Sequence, residues 1–115
     1  APVEDMRVII QKTAAHRIDR IYAYGESHFG TATAQKLHNR LMTALHLLEQ
    51  QPCIGPVEPL LKGRKYSYRS LVVHEHYKLV YRIDEKRQTI YISDVWDTRP
   101  TTQAEATAPP ATYPS

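Results

Sequence analysis

From Ala14 to Leu48 the apolar residues recur at helical spacing, and from Tyr66 to Trp96 they alternate one by one. The change falls across Pro52, Gly55, Pro56 and Pro59. One element type cannot satisfy both periods, so this chain builds helices first and strands second. Segregated runs of that kind predict an α+β domain in which helices cover one face of an antiparallel sheet.

The first helical stripe is Ala14, Ile18, Ile21, Tyr22 and Gly25, with Thr13 as the expected N-cap and Gly30 as the stop. The second stripe is Leu37, Leu41, Ala44, Leu45 and Leu48, with Thr31 or Thr33 as its cap and Pro52 as its end. So short a link forces an antiparallel helix hairpin. Ahead of it, Met6–Gln11 is short and β-branched and predicts an N-terminal strand.

Three strand-like runs follow: Tyr66–Val73, Tyr77–Asp84 and Thr89–Trp96. Their connections, His74–His76 and Glu85–Gln88, are hairpin length, so the runs predict a three-stranded antiparallel meander. Alternation assigns Tyr68, Val72, Tyr77, Leu79, Tyr81 and Ile83 to the helix-covered face. In the last run it sets Ile90, Ile92 and Trp96 against Tyr91, Ser93 and Val95. By the same parity Arg69, Leu71 and Val73 share an open face with Lys78, Val80 and Arg82.

That face carries the charge. The 115 residues hold 15 Lys and Arg against 12 Asp and Glu, a formal +3. Residues 6–100 lack three of the acids (Glu4, Asp5 and Glu105) and none of the bases, which raises the domain to +6. Between Lys62 and Arg82 lie Lys62, Arg64, Lys65, Arg69, Lys78 and Arg82 against Glu75 alone. A basic, partly apolar face suits a partner with phosphates or an acidic amphipathic segment. Tyr66 and Tyr91 are the candidate exposed stacking surfaces on it.

The remaining features exclude more than they assign. A single cysteine, Cys53, rules out an internal disulfide framework, and no apolar run is long enough to cross a membrane. Ala1 to Arg7 lacks an apolar signal core, Met6 is a possible natural start, and a reducing cytoplasmic location is the expectation. Residues 101–115, rich in Pro, Ala and Thr, are expected to form a flexible tail outside a domain spanning 6–100. His74 and His76 could share a strand face as a metal pair, but their place at a turn favours no metal site. Asp94 and Asp97 read as a strand end and turn cap, and Cys53 as a small buried hydrophobe. No cofactor motif is present.

The run Tyr77-Lys78-Leu79-Val80-Tyr81-Arg82-Ile83-Asp84 resembles the strand motif of the RelE/ParE toxin superfamily. Ile18 to Tyr24, Pro52 with Gly55, Leu61-Lys62-Gly63 and Trp96-Asp97-Thr98-Arg99 fall in the matching order. The resemblance implies the RelE-like fold, a cognate antitoxin as partner, and one of two activities. RelE-like members cut mRNA on the ribosome; ParE-like members inhibit DNA gyrase without a catalytic set.

Matched residue by residue, Lys62, Arg69, Lys78 and Arg99 fall where RelE-like enzymes carry cations, and with Arg82 they form the candidate target- or phosphate-binding set. Lys is a poorer bidentate phosphate clamp than Arg, which weakens the matches at Lys62 and Lys78. Leu71 stands where those enzymes have a general-base Lys, and their C-terminal Tyr has no counterpart. The resemblance therefore implies a ParE-like toxin acting by binding. A ribosome-dependent mRNA endonuclease and a non-toxic relative keeping the fold remain the alternatives.

Overall fold

The computed structural model describes residues 6–74 and 76–98. The order is β1 (Arg7–Ile10), α1 (Lys12–Phe29), α2 (Thr31–Gln50), a 3-10 turn (Pro59–Leu61), β2 (Tyr68–His74), β3 (Tyr77–Asp84) and β4 (Thr89–Asp97). Residues 101–115 and Arg99 lie outside the described residues.

The two helices meet at one residue. Gly30 adopts φ 91°, its N–H closes α1 on the Glu26 carbonyl at 3.0 Å, and α2 starts at the next position. A side chain at that φ would be strained, so glycine makes so tight a reversal possible. Neither helix has a side-chain N-cap, contrary to the expectation at Thr13 and at Thr31 or Thr33. Thr13 lies inside α1, and the Thr33 hydroxyl donates backwards to the Phe29 carbonyl.

The strands form one mixed sheet in the order β1-β4-β3-β2. The meander is antiparallel as expected, and β1 joins it parallel to β4, with Val8 opposite Ile90 and Ile10 opposite Ile92. The helix hairpin is the crossover between those parallel neighbours, as parallel pairing requires. Ala14 and Ile18 of α1 and Leu41, Ala44, Leu45 and Leu48 of α2 close over Leu79, Tyr81, Ile90, Ile92 and Val95.

Two bulges correct the expected faces. Next to the turn, His74 pairs with Tyr77, but further along Val72 pairs with Lys78 and Tyr68 with Arg82. Carried through unbroken, the turn register would set Val72 against Leu79, the pairing that alternation alone suggests. The extra residue, Val73, shifts the register by one, and such a shift turns every following side chain over. Leu71 and Val73 therefore pack towards the helices, Tyr68 packs on the opposite face, and Val72 is exposed.

In β4 the extra residue is Ser93, between the pairs Tyr81–Ile92 and Val80–Asp94. Val95 consequently joins the helix-side core, and Trp96 joins Leu61, Tyr68 and Val80 on the outer face. That outer face is not open at its centre. The segment after α2 runs along the edge of β2, where Glu58 N–H donates to Tyr68 O at 2.8 Å and Ser70 N–H to Pro56 O at 3.0 Å. It then folds over the sheet and buries Leu61.

Candidate functional site

Cross-strand partners share a side of the sheet, so pairing decides which cations meet. Arg82 lies opposite Tyr68 on one neighbour and Tyr91 on the other. Its guanidinium carbon is 4.0 Å from the centre of the Tyr66 ring and 4.3 Å from that of Tyr91. The guanidinium is thus held between two aromatic faces, and the Lys65 ammonium lies 5.5 Å from the Tyr66 ring centre. Tyr66 and Tyr91, expected as exposed stacking surfaces, are half-buried and lie against an arginine of this chain instead.

Lys78 sits on the same side and is spoken for. Its ammonium is hydrogen-bonded to the Glu58 carboxylate and lies 5.3 Å from the Trp96 ring centre. Glu58 is 1% exposed. Burial pushes its carboxyl up, but Lys78, the Leu60 N–H and the Ser70 hydroxyl outweigh that and hold it below the ordinary value. The pair anchors the covering loop to the sheet. Sequence reasoning passed over Glu58, although it is the lone acid between Glu49 and Glu75 and precedes Pro59.

Arg69 is not on this face. Its register opposite Tyr81 turns it to the helix side, at the sheet edge, where it donates to the Gly55 carbonyl at 2.8 Å and the Cys53 carbonyl at 3.5 Å. Tyr81 holds the same segment: its hydroxyl donates to Pro52 O at 2.7 Å and accepts from Gly55 N–H at 3.0 Å. Cys53 itself is exposed rather than buried. Lys62 is exposed on the covering loop. Of the candidate cations among the described residues, then, the outer face holds Lys78 and Arg82, and Lys62 is exposed on the loop that covers it.

Asp94 is neither a strand end nor a turn cap. It is wholly buried and accepts from the Val95 N–H at 2.8 Å and the Trp96 indole at 3.2 Å. Arg17 of α1 reaches it with Nε at 3.3 Å. Burial dominates and raises the Asp94 carboxyl, against the lowering influence of Val95, Arg17 and Trp96.

At the other end of the molecule a cavity of about 310 Å³ opens between the hairpin tip and the β2–β3 turn, lined by Ile21, Tyr24, Phe29, Leu37, His74 and Tyr77 among others. Phe29 is 62% exposed, and Tyr24 stacks on His28 with ring centres 4.0 Å apart. His74 and His76 both border this cavity. Among the described residues no group of three or more His, Cys, Asp or Glu could hold a metal ion. No helix among them is long and apolar enough to cross a membrane.

Residues 8–100 match the family model of the ParE toxin of type II toxin–antitoxin systems. The chain belongs to the ParE toxin family. Among solved structures, the chromosomal ParDE toxin–antitoxin system of P. aeruginosa superposes with a TM-score of 0.65 at 19% identity, covering 82% of this chain and 97% of that one. The RelBE2 toxin–antitoxin complex of Mycobacterium tuberculosis superposes with a TM-score of 0.49 at 24% identity, covering 83% and 99%. No curated protein is detectably similar.

In this ParE-family chain, the outer-face neighbours of the cations on β2 are Tyr68, Ser70 and Val72. Burial, ahead of the opposing pull of Arg82, raises the Tyr68 phenol above its ordinary value of 10.0, so it stays protonated at neutral pH. Leu71, which the resemblance sets against a general-base Lys, points towards the helices and packs on the core.

Proposed function

We propose that this ParE-family toxin acts by binding a macromolecular target such as DNA gyrase, without cutting RNA, and that a cognate antitoxin neutralises it. The observation that carries the reading is the make-up of the outer face. Hydroxyl-activated phosphodiester cleavage needs a base and an acid beside the cations. Among the described residues the face supplies cations and aromatic rings, while its carboxylates are taken up within the fold, Glu58 by Lys78 in a buried ion pair and the buried Asp94, opposite Val80, by Arg17, the Val95 N–H and the Trp96 indole. Leu71 turns inward and cannot take a proton in any orientation.

The antitoxin has two regions to cover. Phe29 and Tyr24 expose large aromatic surface at the hairpin tip, beside the 310 Å³ cavity. The edge of β2 beyond Ser70 has no strand beside it among the described residues, so its backbone is open to an added strand. A partner carrying a helix and a strand fits both.

Induction of the chain alone in a bacterium is expected to stop growth, and co-expression with its genomic neighbour to restore it. Purified protein is expected to inhibit gyrase supercoiling and to leave ribosome-bound mRNA intact. New cuts in A-site codons would replace this reading with the endonuclease one. Unimpaired growth at high expression would indicate a non-toxic relative.

A further inference from the structure

The cluster around Arg82 has a chemistry of its own. A guanidinium is a planar fork of donors that matches an oxyanion in two-point contact. Arg82 is half-buried, and ring contacts at 4.0 Å to Tyr66 and 4.3 Å to Tyr91 restrain its guanidinium between them. Among the described residues no carboxylate pairs with Arg82, Lys65 or Lys62. Lys62 and Lys65 are exposed on the same loop, on either side of Arg64.

We propose that this face binds the phosphodiester backbone of nucleic acid, with Arg82 as a two-point phosphate clamp and Lys62 and Lys65 as flanking point charges. Two features favour phosphate over an acidic peptide. The apolar centre of the face (Leu61, Tyr68, Val80 and Trp96) is already closed by the covering loop, so a peptide finds no apolar groove there for anchoring side chains. Arg82 takes one face of each tyrosine and both rings are half-buried, which limits base stacking, so recognition falls to the backbone and is independent of sequence. The inference rests on the reading of the toxin as a binding protein. It places nucleic acid, the substrate of any topoisomerase target, directly against the toxin.

The test measures anisotropy of two fluorescent probes, a DNA duplex of arbitrary sequence and a single-stranded RNA, over a range of salt concentrations, using the full chain. Three phosphates neutralised by Lys62, Lys65 and Arg82 give a log–log slope against salt of about −3 on the duplex. Arg82→Ala should weaken binding about tenfold and make the slope shallower by about 1. Arg82→Lys should weaken binding while keeping the slope, because the charge remains and the fork is lost. Tyr91→Leu should do the same by freeing the guanidinium.

Arg40→Ala, on the exposed side of α2, is the control and should change nothing. Unchanged melting temperature in each variant separates lost binding from lost folding. Salt-sensitive binding of either probe that depends on Arg82 supports the site. Binding that survives Arg82→Ala, or polyglutamate bound while both nucleic acids are ignored, overturns it. Normal gyrase activity alongside Arg82-dependent DNA binding would overturn the gyrase reading alone.

Discussion

Glu58 and Lys78 form an ion pair whose side chains are 1% and 19% exposed, the first on the covering loop and the second near the start of the inner strand β3. The loop roofs the outer face through this contact, so a residue that resembles a phosphate ligand in sequence is a structural tie in the fold.

Lys78→Met should therefore read as a stability mutation. It strands a buried carboxylate and should cost about 3 kcal/mol, since the Leu60 N–H still holds one oxygen. Adding Glu58→Gln should recover much of the loss, because the uncompensated charge is gone. Urea titrations of the two variants check this. If the single variant kept full stability yet lost toxicity, Lys78 would belong to the target site after all.

Acid should act on Glu58 and Asp94 in opposite directions. Glu58 titrates below its ordinary 4.5 when folded, so its contribution is fully present above pH 4.5 and is lost as pH falls through the folded value. Asp94 titrates above its ordinary 3.8 when folded, so protonation relieves a cost as pH falls through the folded value towards 3.8. Asp94→Asn should steepen the loss of stability in acid, and Glu58→Gln should flatten it. Thermal melts at intervals from neutral pH to pH 3.8 test both signs.

Arg69 and Gly55 should affect the fold and leave target affinity intact. A Cβ at Gly55 would run into the Ser70 carbonyl and come within 2.8 Å of the Tyr81 hydroxyl. Backbone cannot yield there cheaply, so Gly55→Ala should cost about 2–3 kcal/mol. Arg69→Ala removes the donor to the Gly55 carbonyl and should cost about 1–2 kcal/mol. Denaturant midpoints should fall in both, and gyrase inhibition by the folded fraction of Arg69→Ala should match that of the unmodified chain.

Phe29→Ser should separate toxicity from neutralisation. The side chain is mostly in solvent, so folding and growth arrest should persist. Antitoxin affinity should fall roughly 30-fold if the ring is an anchoring contact of about 2 kcal/mol. Calorimetry with the co-purified antitoxin reads the loss, and undiminished affinity would move the antitoxin contact away from the hairpin tip.

The element order, the hairpin forced by the short link at Gly30, and the helix stripes from Ala14 to Gly25 and Leu37 to Leu48 were all legible in sequence. Each follows from period and local chemistry. The spans Tyr77–Asp84 and Glu85–Gln88 also agree with the structure residue for residue. The signal for Asp94 was weaker: a carboxylate between Ser93 and Val95 on a strand reads equally as an end or as a buried acceptor, and Arg17 arriving from α1 decides between them.

Sequence by itself determined which residues share a side within each unbroken stretch of a strand. It did not determine which side that is, because one inserted residue is invisible to alternation on either side of it. The bulge at Val73 sends Arg69 to the helix side and Tyr68 to the outer face, and the bulge at Ser93 sends Trp96 to join it. Tertiary pairing alone fixes register, since only the partner strand says where the ladder skips. That skip splits one basic run into two groups, Arg69 holding the loop and Arg82 left on the surface.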